Sequence, residues 1–165
     1  MIPLIRLLLV TVLSISCAAA AEKQAPSASE TAQPEFTLSI HLVRDVVKVG
    51  QPVRLKITTK NISDRSIGIF RDIGGRDELN PLYAVTVWNT NGSSAPETNV
   101  KRQKRGHSIL FPLEAGKESS IFVDLAKLYN LNRPGLYRVQ VEEFEWEKVL
   151  VPPVKSDVIT FSVVE

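Results

Sequence analysis

The stretch Asp124–Phe144, DLAKLYNLNRPGLYRVQVEEF, changes its period in the middle. Leu125, Leu128 and Tyr129 recur at i, i+3 and i+4, which sets them on one side of a single helical turn. Asp124 stands just ahead of them, where a side-chain oxygen can accept hydrogen bonds from the turn's first amides. Pro134 stops any continuation because it has no amide proton. Gly135 permits a tight reversal. From there Tyr137, Val139 and Val141 fall at every second position, the pattern of a strand with one buried face. The stretch therefore reads as a crossover between two sheets, with Tyr137 on the inward face of the strand that follows.

Outward from this stretch the same period of two recurs. Phe36, Leu38, Ile40 and Leu42 alternate with Thr37, Ser39, His41 and Val43; Val53, Leu55 and Ile57 alternate with Arg54, Lys56 and Thr58. Tyr83, Val85 and Val87 form a third set, Ile121, Val123 and Leu125 a fourth, and Ile159, Phe161 and Val163 a last one. Turn signals separate them: VGQP at 49–52, NISD at 61–64, GG at 74–75, NTNG at 89–92, EAGK at 114–117, NRPG at 132–135 and VPP at 151–153. Short strands punctuated this often, with no long amphipathic helix between them, predict an all-β sandwich or barrel.

The first residues carry a different message. Arg6 precedes an apolar run from Leu7 to Ile15, and small residues follow from Cys17 to Ala21. Those are the three zones of a secretory leader, so residues 1–21 are expected to be a signal peptide cleaved near Ala20 or Ala21. The run is too short to span a bilayer, which takes ~20 residues. Cys17 leaves two fates open. A lipoprotein signal places a Leu-like residue three positions before its modified cysteine, and here that residue is Ser14, so ordinary cleavage is the expectation and a lipid anchor at Cys17 the alternative. After ordinary cleavage no cysteine remains, which excludes disulfides, thiol nucleophiles and thiolate metal sites. Residues 22–34, EKQAPSASETAQP, are small, polar and aperiodic, and read as a disordered tether to a domain at 35–165. Arg6 leaves with the leader, so nineteen of the twenty Lys and Arg face eighteen Asp and Glu. That balance gives no general attraction to nucleic acid or to an anionic membrane.

With these residues in view, a resemblance can be stated. The order Gly-Leu-Tyr-Arg-Val at 135–139 is similar to the tyrosine corner of immunoglobulin domains, with Val139 where those domains carry their second cysteine. VVKVGQPVRLKITTKNISDRSI resembles the opening strands of bacterial secreted immunoglobulin-like domains, and LEAGKESSIFVDLAKLYNLNRPGLYRVQV and VKSDVITFSV resemble their later strands. The pattern ending at Tyr137 is also similar to the immunoglobulin-like region of some deuterolysin-type peptidases. The first segment is similar, more weakly, to BsuPI-type proteinase-inhibitor domains. Residues 65–112 resemble nothing that can be named. The resemblance implies an immunoglobulin-like antiparallel β-sandwich of about seven to nine strands with one short helical turn. It implies no catalytic residue, since the peptidases' His-Glu-x-x-His helix is absent.

Candidate sites are few. The two histidines, His41 and His107, have no His-x-His or His-x-x-x-His company, so they read as surface residues rather than metal ligands. No Gly-x-Ser-x-Gly elbow or phosphate-cradling glycine loop occurs. The loop Arg71–Pro81 holds Asp72, Asp77 and Glu78 around Gly74-Gly75, but Arg71 and Arg76 offset the charge, and a salt-bridged loop is favoured over a calcium site. Lys101, Arg102, Lys104 and Arg105 form a basic run, read first as a charged edge that blocks aggregation and second as a partner-binding patch. It lacks the interleaved aromatics of a nucleic-acid binder. Phe144 and Trp146 alternate with acidic residues ahead of a proline-ended hairpin tip, and are candidate partner contacts unless a bulge returns them to the core. Asn61-Ile-Ser and Asn91-Gly-Ser are sequons that matter only in a eukaryotic secretory route. Pro134, Gly135 and Tyr137 are expected to be structural. The sequence thus predicts an exported, non-enzymatic interaction module of the cell envelope or periplasm with no cofactor and no metal. Its partner is a protein or another envelope component, and a proteinase inhibitor acting through an exposed loop is the alternative.

Overall fold

Phe36, Leu38 and Ile40 are buried while Thr37, Ser39 and His41 face solvent, so the first alternating run is a strand with one inward face. The structure, a computed structural model, describes residues 33–72, 83–99, 108–143 and 152–165. Its elements are β1 (Phe36–Leu42), β2 (Val46–Lys48), β3 (Arg54–Asn61), β4 (Ile67–Asp72), β5 (Tyr83–Asn89), β6 (Ser108–Leu113), β7 (Glu118–Asp124), α1 (Leu125–Leu128), β8 (Gly135–Glu143), β9 (Val154–Lys155) and β10 (Ile159–Val164). One sheet runs β1-β3-β7 and is antiparallel throughout. The second runs β2-β10-β8-β5, with β9 also on β8; β2 lies parallel to β10 and the other pairs are antiparallel. β4 and β6 form a separate antiparallel pair. The inner faces of the two main sheets share one apolar core, in which Leu55, Val87, Val139 and Val141 are wholly shielded from water. A smaller cluster of Phe36, Ile67, Ile69 and Leu113 fills the space under the β4–β6 pair. This is an immunoglobulin-like β-sandwich.

The ten strand segments trace fewer paths than their number implies. β1 and β2 are one stretch of chain that leaves the first sheet after Leu42 and joins the second at Val46. β9 and β10 are one path beside β8, broken at Ser156–Val158. There Val141 N donates to Ser156 Oγ (3.0 Å) and Ser156 N to Val141 O (2.9 Å), so a serine side chain replaces a backbone acceptor across the break.

The connection between β7 and β8 runs from Asp124 to Gly135 through α1. Asp124 caps α1 by accepting from Ala126 N (3.1 Å), and its same oxygen accepts from Val53 N (3.0 Å) at the head of β3. Leu125 and Leu128 enter the core, and Tyr129 beside them donates its hydroxyl to Val85 O at 2.6 Å. Pro134 follows α1 on the surface and Gly135 opens β8, paired with Val163. Tyr137 is 5% exposed; its ring stacks on Phe161 at 5.4 Å and its hydroxyl donates to Arg133 O at 2.8 Å. That is the geometry of a tyrosine corner.

The edge of the second sheet is closed by the chain itself. After β5 a tight turn at Asn89–Gly92 sends Ser93–Ala95 back along the strand, where Asn89 N donates to Ser93 O (2.8 Å) and Ala95 N to Val87 O (2.9 Å). Together with the bond from Tyr129 to Val85 O, this occupies the outer carbonyls of Val85 and Val87, which would otherwise template another strand. It also carries the chain to residues 96–99, beside α1.

Candidate functional site

Three connections meet at one end of the sandwich: the turn from β2 to β3, residues 97–99 after β5, and the segment from α1 to Asn132. Between them lies an open groove of ≈ 390 Å³, within the size range of small-ligand sites. Its floor is aliphatic and buried, formed by Val47, Val53, Leu131 and Val163. Its rim is polar and carries Lys48, Gln51, Asn99, Asn130 and Asn132.

Each wall is fixed from within. Lys48 to Gln51 is a β-turn closed by Gln51 N donating to Lys48 O (3.0 Å), with Gly50 at φ +79°, a conformation open to glycine at little cost. Gln51 Oε1 accepts from Lys48 N at 3.3 Å. The other wall is a short antiparallel ribbon: Thr98 N donates to Leu128 O (2.9 Å), Asn130 N to Pro96 O (2.8 Å), and the Thr98 hydroxyl to Lys127 O. Asn130 Oδ1 accepts from Asn132 N at 3.3 Å. Asp124 joins the two walls through its bonds to Val53 N and Ala126 N. Both walls are therefore held by hydrogen bonds of their own, and in these Gln51 and Asn130 on the rim use only the oxygens of their carboxamides.

The opposite end of the sandwich holds its polar residues inside. Thr59, 1% exposed, donates its hydroxyl to Glu143 Oε2 at 2.8 Å and lies 2.9 Å from the Tyr83 hydroxyl. Glu143 is itself buried. These three side chains come from β3, β5 and β8 and tie the two sheets together by hydrogen bonds. Asn61, wholly buried, is satisfied at both ends: Nδ2 donates to Arg65 O (2.7 Å) and Leu113 O (2.8 Å), and Oδ1 accepts from Ser63 N (2.9 Å) and Ser63 Oγ (2.7 Å). Asn91 makes the same turn with Ser93 in the open. Of the two sequons, Asn61 is thus a structural bracket, and Asn91 presents an exposed amide.

The candidates named from sequence are distributed as follows. Phe144, Trp146, Lys101, Arg102, Lys104 and Arg105 lie outside the described residues, as do His107, Cys17 and residues 73–81 of the acidic loop. His41 is exposed on the outer face of β1. The groove was missed because its residues are turn residues, and a turn signal says nothing about which other turn it meets. Asn61, Thr59 and Glu143 carried a readable signal. Continuing the alternation past Ile57 and past Val141 puts all three on inward positions.

No family model matches the chain, and no curated protein does. The likenesses to deuterolysin-type and BsuPI-type domains therefore rest on the quoted motifs alone. Among solved structures, a β-glucosidase from Listeria innocua in complex with isofagomine is similar at TM-score 0.45 and 19% identity, over 79% of this chain and 16% of that one. The CARDB domain of a Pyrococcus furiosus protein, in complex with di-metal ions, is similar at 0.44 and 18%, over 81% of this chain and 98% of that domain. An alkylpurine DNA glycosylase from Pseudomonas fluorescens is similar at 0.42 and 15%, over 79% and 31%. This chain spans about a sixth of the glucosidase's length. Likenesses this distant carry no argument about binding or catalysis. Among the described residues no helix is long and apolar enough to cross a membrane.

Proposed function

We propose that this protein is a non-enzymatic interaction module of the cell envelope or periplasm, delivered there by the leader at residues 1–21. The observation that supports the reading best is the groove between the β2–β3 turn and the α1–β8 connection. A cleft with hydrogen-bonded walls, a buried aliphatic floor and a rim of partly uncommitted amide groups has the composition of a recognition surface. Its rim is made of loops held on a sandwich, where binding residues concentrate. The alternative is a proteinase inhibitor acting through an exposed loop of the sandwich.

The test uses the tagged full chain in its native envelope. Crosslinking followed by identification of the captured component should give saturable retention with no chemical change in that component. The double substitution Asn130→Ala with Asn132→Ala, at exposed positions, should abolish that retention while the protein stays folded. Retention unaffected by the double variant would refute the groove as the site. Turnover of the captured component would refute the non-enzymatic reading.

A further inference from the structure

We propose that the groove recognises a carboxylate group; the inference rests on the groove being the binding surface. A carboxamide offers an oxygen that accepts and a nitrogen that donates, and what it shows a ligand depends on which end is already used. On one wall Gln51 gives its oxygen to Lys48 N. On the other Asn130 gives its oxygen to Asn132 N. A backbone N–H needs an acceptor, so both side chains are oriented by their own turns, and each keeps its NH₂ for a ligand. Lys48 adds an ammonium to the same rim. The groove mouth is therefore biased toward donors, one of them charged.

A carboxylate is the complement of such a set, since it accepts only and its two oxygens can take several donors at once. Beneath the rim, Val47, Val53, Leu131 and Val163 close the floor with almost no surface of their own exposed, so the donors of the rim, rather than an apolar pocket, set what the groove holds.

The experiment titrates the isotope-labelled full chain and follows the side-chain NH₂ signals of Gln51 and Asn130. The probes are acetyl-Ala-Ala-Val with a free carboxylate, the same peptide as its C-terminal amide, and glucuronate. The acid should shift both signals saturably, and the amide should bind about tenfold more weakly. Gln51→Glu keeps an oxygen for Lys48 N but replaces the donor with an anionic oxygen. It should weaken binding of the acid by at least about tenfold while leaving the backbone spectrum otherwise that of the parent. Equal binding of acid and amide, or an unaffected Gln51→Glu variant, would overturn the carboxylate assignment. Saturation by glucuronate and not by the peptide acid would support the carboxylate and place it on a sugar acid. Silence of both signals toward every probe would overturn the proposal too. If the Asn130/Asn132 variant still loses envelope retention in that case, the ligand class fails and the interaction-module reading survives.

Discussion

Asn61 is the side chain whose loss should be felt most for its size. It has no exposed surface and makes four hydrogen bonds, two donated to Arg65 O and Leu113 O and two accepted from Ser63. Replacing it with alanine removes all four, deprives two carbonyls of a donor, and releases the turn that leads from β3 to β4. A neutral intramolecular bond contributes ~0.5–1.5 kcal/mol net, and a buried group left unsatisfied costs ~1–3 kcal/mol. Because the four bonds share one side chain they do not add fully, and Asn61→Ala is expected to cost about 3 kcal/mol. Set against a total of ~5–15 kcal/mol, that is a large fraction. For a domain of intermediate size it should lower Tm by roughly 10 °C. Asn61→Asp sharpens the test. It keeps the acceptor for Ser63 but turns an oxygen toward two carbonyls, so the buried carboxyl's pKa is raised in the folded state. A raised folded pKa means the variant is least destabilised below the ordinary carboxylate range, where the neutral acid can still donate. It loses stability as pH rises through the folded value. Chemical denaturation of parent, Asn61→Ala and Asn61→Asp between acid and neutral pH measures both effects. An alanine variant within ~0.5 kcal/mol of the parent, or an aspartate variant whose deficit does not grow with pH, would show that the bracket carries no weight.

Four further outcomes are expected. Tyr137→Phe should cost about 1 kcal/mol by denaturant titration, since the ring still stacks on Phe161 and only the bond to Arg133 O is lost; Tyr137→Ala should cost ~3–5 kcal/mol. Thr59→Val, near-isosteric and buried, removes a donor to the Glu143 carboxylate and should cost roughly 2 kcal/mol, measured the same way. Asp124→Ala removes the α1 cap and the acceptor for Val53 N, so hydrogen exchange at Val53 and Ala126 should quicken and stability fall by ~1–2 kcal/mol. Lys60→Met breaks a pair with Glu118 at 3.5 Å in which both side chains are about half exposed, and the denaturation midpoint should move by no more than ~0.5 kcal/mol.

Much of the sandwich was legible because its strands obey a period of two that only burial on one side produces. The inward residues of β1, β3, β5, β8 and β10 follow from alternation alone, and the passage from α1 to β8 from a capping aspartate, a proline and a glycine. The reading thinned where inward positions are polar. Alternation places Thr59, Asn61 and Glu143 inward, but a sequence shows their polarity and not the partner that neutralises it. It was silent where the determinant is non-local. β4 pairs with β6 across more than thirty intervening residues, and Pro112 within β6 disguises that strand. The groove is the extreme case. Lys48, Gln51 and Asn130 acquire a joint meaning only because Asp124 bonds the start of β3 to the start of α1, and no local pattern encodes that juxtaposition.

The switch of the first strand between sheets has a consequence for how the molecule is made. Val46–Lys48 pair with Ser162–Val164, so a segment synthesised early has its partner more than a hundred residues later. Until residue 164 has been delivered, β2 has no sheet to join, and the groove wall built on Lys48 and Gln51 has no counterpart in Val163. Contacts of such long range are slow to form and leave open edges in the meantime. Synthesis from the N-terminus should therefore keep this chain uncommitted through most of its length, with the groove among the last features to appear.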